Sequence, residues 1–252
     1  MSDWKSRFKA AAVHLGLSLL VAGGSALLVF GLWYPAPYDQ LSGGRELFFL
    51  IVSVDVVLGP LITFAVFNRA KPKTELIRDL AIVGLIQLAG LSYGLWTVSL
   101  ARPVHLVFEV DRFRVVHVVD IDPEALNKTP AGITAMPFTG PTLLALRPID
   151  HGTERLELAS AELNGEMISA RPDLWQPYEQ AQARVLAAGK PVAALQKRYP
   201  ARTAEIDRAV AATGRSVDQL RSLPLTARKL DWSVLVDAKT AQVVGFLPLD
   251  SF

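Results

Sequence analysis

Three long apolar runs dominate the first 101 residues. The first, Ala10 to Tyr34, carries no charge and one polar ring, His14. The second, Leu47 to Phe67, reads LFFLIVSVDVVLGPLITFAVF and holds a single acid, Asp55, and a single helix breaker, Pro60. The third extends over about residues 76–101, with an uncharged core from Leu80 to Leu100. Twenty-odd helical residues at about 1.5 Å each cross roughly 30 Å of hydrocarbon. The pattern therefore predicts a membrane domain over residues 1–101, with transmembrane helices at about 10–34, 47–67 and 76–101. The first run is too long for the apolar region of a secretory signal, about 7–15 residues. It ends in Trp33-Tyr34-Pro35-Ala36-Pro37-Tyr38 and reads as an uncleaved span closed by an interfacial aromatic belt.

From Arg102 the pattern changes to that of an α+β domain over residues 102–252. Two β-rich runs flank Asp111-Arg112. A tight two-residue turn there sets Val110 opposite Phe113 and Glu109 opposite Arg114 as a cross-strand pair. Leu106, Phe108, Val110, Phe113, Val115 and Val119 then share one apolar face with His117. Thr142–Leu146 is a short strand candidate in a Pro/Thr/Gly-rich stretch. Helical periodicity marks about 153–163, 177–188, 191–199 and 203–213, and residues 227–247 read as two strands around Asp237–Thr240. Strands at both ends with helices between them predict one shared sheet.

Charge orients the spans. Lys5, Arg7, Lys9, Arg69, Lys71, Lys73 and Arg78 flank one side, and Arg45 and Arg102 the other. By the positive-inside bias the N-terminus is cytoplasmic and the later domain lies outside, in a periplasm if the host is Gram-negative. Residues 102–252 hold 18 basic and 18 acidic side chains, so no polyanion footprint exists and no nucleic acid partner is expected. The absence of cysteine excludes disulfides and thiol chemistry.

Asp55 is the residue in the membrane that needs a reason. A mid-span carboxylate costs about 2.5–3.5 kcal/mol on insertion scales, so it is expected protonated, paired or turned inward. Gln87, Tyr93 and Ser25 are its candidate partners. Pro60 cannot donate to the Val56 carbonyl, which weakens the adjacent turn. No second acid or histidine is expected at its depth, which argues against a proton relay. Gly90 and Gly94 in the third span, and Gly16, Gly23, Gly24, Ser25 and Gly31 in the first, are small residues suited to close helix packing. They serve either the bundle itself or a foreign helix.

Catalytic patterns are missing from the sequence. His14, His105, His117 and His151 have no helical i,i+4 partner for a metal, and His117 reads as a satisfied core histidine. Asp120 and Asp122 read as turn caps. No nucleophile elbow, phosphate loop or dinucleotide fingerprint occurs. Neither an enzymatic activity nor a cofactor is expected.

The motifs WYPAPY, VDVVLGPLITFAVFN, LSYGLWTV and ARPVHLVFEVDRFRVV occur in order, separated by the basic link. Together they resemble the type IV pilin accessory proteins of the TfpX/TfpZ type. The resemblance covers about the first 120 residues and picks out Tyr34, Pro35, Asp55, Gly59, Pro60, Tyr93, Arg102, Pro103, Asp111, Arg112 and Phe113. It implies an inner-membrane protein that assists pilus assembly. The partners it implies are a type IV pilin subunit, which has one transmembrane helix and an outer head, the assembly machinery and membrane lipid. Candidate partner-binding or structural residues are Asp55, Pro60, Gly90, Gly94, Tyr93, Arg102, Asp111 and Arg112. The rival readings are an envelope sensor, which should carry an output domain, and an enzyme acting on a lipid or envelope substrate.

Overall fold

The computed structural model describes residues 3–149 and 152–251, so His151 lies outside the described residues. The chain divides into two compact units, Met1–Arg102 and Pro103–Phe252.

The first unit contains three helices long and apolar enough to cross a membrane, Trp4–Trp33, Gly44–Val66 and Lys73–Leu100. Each begins several residues before its apolar run, because the polar ends are good helix formers. Lys and Arg stems also lie along apolar surface while their charges reach water. The second span packs against the first and the third. The inward seam of the first span is Ser18, Ala22, Ser25 and Val29, at helical spacing. Its glycines do not share that seam: a Cβ added at Gly16, Gly23, Gly24 or Gly31 would meet nothing within 4 Å. They are out of phase with the buried face by one or two residues.

The expected aromatic belt is instead internal packing. Trp33, Tyr34 and Tyr38 are buried, and Trp33 and Tyr34 cluster with Val29, Phe48 and Val98. The Tyr34 hydroxyl donates to the Val98 carbonyl at 3.1 Å, tying the first span to the third. Gly44 is required beside it, since a Cβ would come within 2.5 Å of the Tyr34 ring. At the basic end Trp4 and Phe8 are exposed and cluster with Phe64, centroids 4.9–6.5 Å apart, while Phe49, Tyr93 and Trp96 are exposed on the second and third spans.

The second unit is a mixed eight-stranded sheet with helices, an α+β domain. Its strands are β1 (Pro103–Phe108), β2 (Phe113–His117), β3 (Thr142–Leu146), β4 (Trp175–Pro177), β5 (Lys190–Pro191), β6 (Leu220–Thr226), β7 (Asp231–Asp237) and β8 (Val243–Leu247). Their order is β4-β3-β1-β2-β6-β7-β8, with β5 paired to β6. The early and late strands do share one sheet, through the short parallel pairing of Phe113 with Leu225 and Arg114 with Thr226. Two apolar cores form. Val107, Val116, Leu144, Leu146, Leu158 and Trp175 belong to one; Leu195, Ile206, Val210, Leu220, Leu235 and Leu247 belong to the other. Rings bridge the junction: Phe108 lies 5.5 Å from Phe113, which lies 6.1 Å from Tyr178, and the Tyr178 hydroxyl donates to the Ala241 carbonyl at 2.6 Å.

Three expectations for this domain change. The β1–β2 hairpin pairs Phe108 with Phe113 and Val107 with Arg114, so the loop has four residues rather than two. Leu106, Phe108, Phe113 and Val115 keep their common face, but Val110 (71% exposed) and Val119 (57%) leave it for solvent. Glu109 and Arg114 still pair at 2.9 Å, from a loop position rather than directly across the ladder. The predicted helix over 177–188 opens as a 3-10 turn, Tyr178–Ala181, and turns α-helical at Gln182, while Pro177 ends an antiparallel strand paired to β3. Finally, the two strands expected over 227–247 are joined by a third, β6, which lies before them and carries Pro224 in its middle, a residue that argues against an inner strand. Beyond β7, β6 is paired by β5 at Arg221–Ser222 and by β2 at Leu225–Thr226. No described strand borders Leu223–Pro224 on that side, and such a gap accommodates a residue without an N–H.

Candidate functional site

The first unit brings together polar residues from all three spans. Two turns in the membrane are π-helical, Val29–Trp33 and Val54–Leu58, and the second ends just before Pro60. In an i→i−5 register the N–H absent from Pro60 is the one that would reach the Asp55 carbonyl. The Gln87 amide from the third span donates to that carbonyl at 3.2 Å. A side chain from a neighbouring helix thus satisfies a main-chain group that the proline leaves open in lipid. Gln87 was a candidate partner for the Asp55 side chain; its bond goes to the Asp55 main chain.

Gly59 makes this convergence possible. A Cβ there would stand 2.0 Å from Gln87 Nε2 and 2.9 Å from His14 Nε2. His14 Nδ1 shares a 2.6 Å hydrogen bond with the hydroxyl of Thr63, which is buried. A cavity of about 200 Å³ opens beside the group, with His14, Ser18, Asp55 and Gln87 among its lining residues. The expectation that no histidine shares the depth of Asp55 is therefore corrected. The first span starts at Trp4, which sets His14 ten residues in, and Asp55 lies 11 residues from Val66 at the same end of the second span. The two depths are about 15 and 17 Å.

Gln87→Leu is expected to destabilise the bundle by about 1 kcal/mol, the scale of one hydrogen bond between helices in lipid. Asp55→Asn, which keeps the main-chain carbonyl, should leave stability unchanged. Unfolding titrations of both variants in mixed micelles check this; equal losses would mean that the Asp55 charge itself holds the fold.

The other residues singled out by sequence separate. Gly94 is buried, and a Cβ there would meet Ile51 at 2.7 Å, so this glycine serves packing between the third and second spans. Gly90, four residues earlier, is open. Gly90, Tyr93 (68% exposed), Leu50, Val54 and Asp55 line a shallow groove of about 300 Å³ between those spans. Arg102 donates to the Ser99 carbonyl at 2.7 Å and closes the end of the third helix. Asp111 and Arg112 pair with each other at 2.8 Å in the hairpin loop. Phe113 is core.

In the second unit His117 is fully buried, with Nδ1 2.9 Å from Asp120, which also accepts from Arg228 at 2.8 Å. Burial pushes the Asp120 carboxyl up, but the His117 and Arg228 hydrogen bonds together hold it below its ordinary value. Asp122 caps the following turn through the Glu124 N–H at 3.0 Å. Both acids are turn caps. His105 is buried against Trp175, with ring centroids 4.6 Å apart. Its Nε2–H donates to the Ala135 carbonyl at 2.8 Å, which leaves Nδ1 to accept from the Thr142 hydroxyl at 2.7 Å.

His14, Thr63 and His105 were not assigned roles from sequence. His14 carried the one available signal, as the single histidine in its apolar run.

The family model described as fimbrial assembly protein FimB matches residues 2–43. The fimbrial assembly protein of serogroup I from Dichelobacter nodosus is 34% identical over 254 residues, 98% of each chain. Its serogroup E1 counterpart matches to the same extent. The fimbrial assembly protein of serogroups C1 and C2 is 44% identical over 121 residues, 46% of this chain and 92% of that protein. No solved structure matches the chain. With two relatives aligned from end to end, the chain belongs to the fimbrial assembly protein family, in line with the type IV pilin accessory resemblance of its membrane half.

Proposed function

We propose that this protein is an accessory factor of type IV pilus assembly that binds a pilin subunit in the inner membrane and modulates its entry into the fibre. The observation that carries the reading is the end-to-end match to proteins named for fimbrial assembly. The groove between the second and third spans supports the binding of pilin. It offers a small residue, Gly90, for close backbone approach, with Tyr93, Leu50 and Val54 exposed around it. In this reading the protein acts by binding, without chemistry of its own. The Lys and Arg bias supports an N-terminus in the cytoplasm and an α+β domain in the periplasm.

The test combines three measurements. Photo-crosslinkers at Leu50 and Tyr93 should capture pilin, and Gly90→Leu should reduce capture about tenfold while protein level stays normal. Reporter fusions at Lys71 and at the C-terminus should report opposite sides of the membrane. Deletion should lower surface pili with pilin synthesis intact. A deletion that altered envelope lipids and left pili unchanged would replace this reading with an enzymatic one.

A further inference from the structure

The first and third spans both pack on the second, and a groove opens between them over Thr63 and Phe67 of the second, sharing no lining residue with the shallow groove at Gly90 and Tyr93. Its lower part has a volume of about 520 Å³. Val13, Leu17 and Leu80 give it apolar walls, and Lys9 and Arg69 stand at its basic end. It meets the cavity beside Asp55 through shared lining at His14, Leu17, Gly84 and Gln87.

Lys71, in the same link as Arg69, is engaged by Asp79 at 2.7 Å and Glu75 at 3.5 Å. Lys9 and Arg69 make no ion pair or hydrogen bond among the described residues, and no acid lines this part of the groove. Two unpaired cations above an apolar channel match one chemistry, an anionic head joined to a hydrocarbon tail. A polar step lies at the correct depth between them. His14 is five residues from Lys9, about 7 Å along the helix. The interfacial layer on each side of the hydrocarbon is itself about 5–8 Å thick.

We infer that the groove between the first and third spans binds one anionic phospholipid. Its phosphate sits at Lys9 and Arg69, its ester region faces His14 and Gln87, and an acyl chain runs past Leu17 toward the cavity beside Asp55. The lipid would fill space between two spans that contact each other little and would wall the polar cluster off from the bilayer. This does not depend on pilin binding.

Native mass spectrometry of the full chain, released from mild detergent and titrated with phosphatidylglycerol or phosphatidylethanolamine, tests the site. One phosphatidylglycerol per chain is expected, held at least tenfold more tightly than phosphatidylethanolamine. Lys9→Gln with Arg69→Gln should weaken phosphatidylglycerol about thirtyfold, the ratio that two surface cations at about 1 kcal/mol each provide. Lys73→Gln should change nothing. Leu17→Trp, which fills the groove and leaves the charges in place, should weaken both lipids. Circular dichroism of each variant checks that the helices persist. Equal binding of the two lipids, or phosphatidylglycerol binding that survives the double substitution, would overturn the inference. Displacement by millimolar inorganic phosphate would mean that the site reads a free anion, and a photo-crosslinker at Val13 that yields a protein adduct in native membranes would assign the groove to a partner helix; either result also overturns it.

Discussion

Acidification from pH 7 to 4 is expected to weaken the second unit by about 3 kcal/mol through His105 alone. Burial of the ring drives its pKa down to about 4 from an ordinary 6.5, and the bond to the Ala135 carbonyl offsets part of that fall. Below pH 6.5 the unfolded chain takes up a proton that the folded ring refuses until about pH 4. Stability from this group is therefore complete above 6.5, falls between 6.5 and 4, and is level below that. A gap of about 2.5 pH units at 1.36 kcal/mol each sets the magnitude. The window differs from that of Asp120, Asp173 and Asp237, whose pKa values are all lowered. Their stabilisation is present above the ordinary carboxylate value near 3.8 and is lost only as the pH falls below it. Thermal unfolding of the full chain, followed by near-ultraviolet circular dichroism between pH 7 and 4, measures the effect. His105→Gln should be less stable at pH 7 and should lose the slope between 6.5 and 4. The same slope in that variant would assign the acid sensitivity to another group.

The second large effect separates two glycines that the sequence presents as one pair. Gly94→Leu is expected to cost about 3 kcal/mol, the upper end for forcing extra carbons into a packed site. Its first added carbon already falls 2.7 Å from Ile51, and the next two closest atoms also belong to that branched side chain, at 2.9 and 3.0 Å. The third span would have to move away from the second. A Cβ at Gly90 meets nothing within 4 Å, and Gly90→Leu should leave the bundle at its normal stability. The single substitutions thus divide a fold defect from a binding defect. Unfolding titrations in micelles, read beside the pilin crosslinking, check both. If Gly90→Leu destabilised the bundle as much as Gly94→Leu, Gly90 too would be an internal contact and the groove would not face a partner.

Much of the site was partly visible in advance. Asp55 and Pro60 stood out because an acid and a proline are both costly in an apolar run. Gln87 was a candidate for meeting Asp55, and it does so through the main chain. That bond follows from a π turn, which no residue in the run specifies without its neighbours. His14 was seen but placed too shallow, since the hydrophobic run begins six residues after the helix does. Gly59 entered through family resemblance, and its physical reason is the close approach of Gln87 and His14. In the second unit, His105 gave no local signal at all. Its meaning depends on Ala135, Thr142 and Trp175, each at least 30 residues away.

Features that rest on local chemistry could be read from the order of residues alone. Three apolar runs of spanning length define three helices whatever surrounds them, because backbone groups in hydrocarbon must pair within their own segment. Alternation around Asp111-Arg112 defined two strands, because period-2 burial is a property of the strand itself. Which face of each helix turns inward depends on long-range packing, and so does the burial of Gly94 while Gly90 and the glycines of the first span are open. Long-range packing also decided the four-residue hairpin loop and the inner position of β6 despite Pro224. Those outcomes depend on partners far apart in the chain: a small shift in helix phase or strand register changes which side chains meet, while the local pattern stays almost the same.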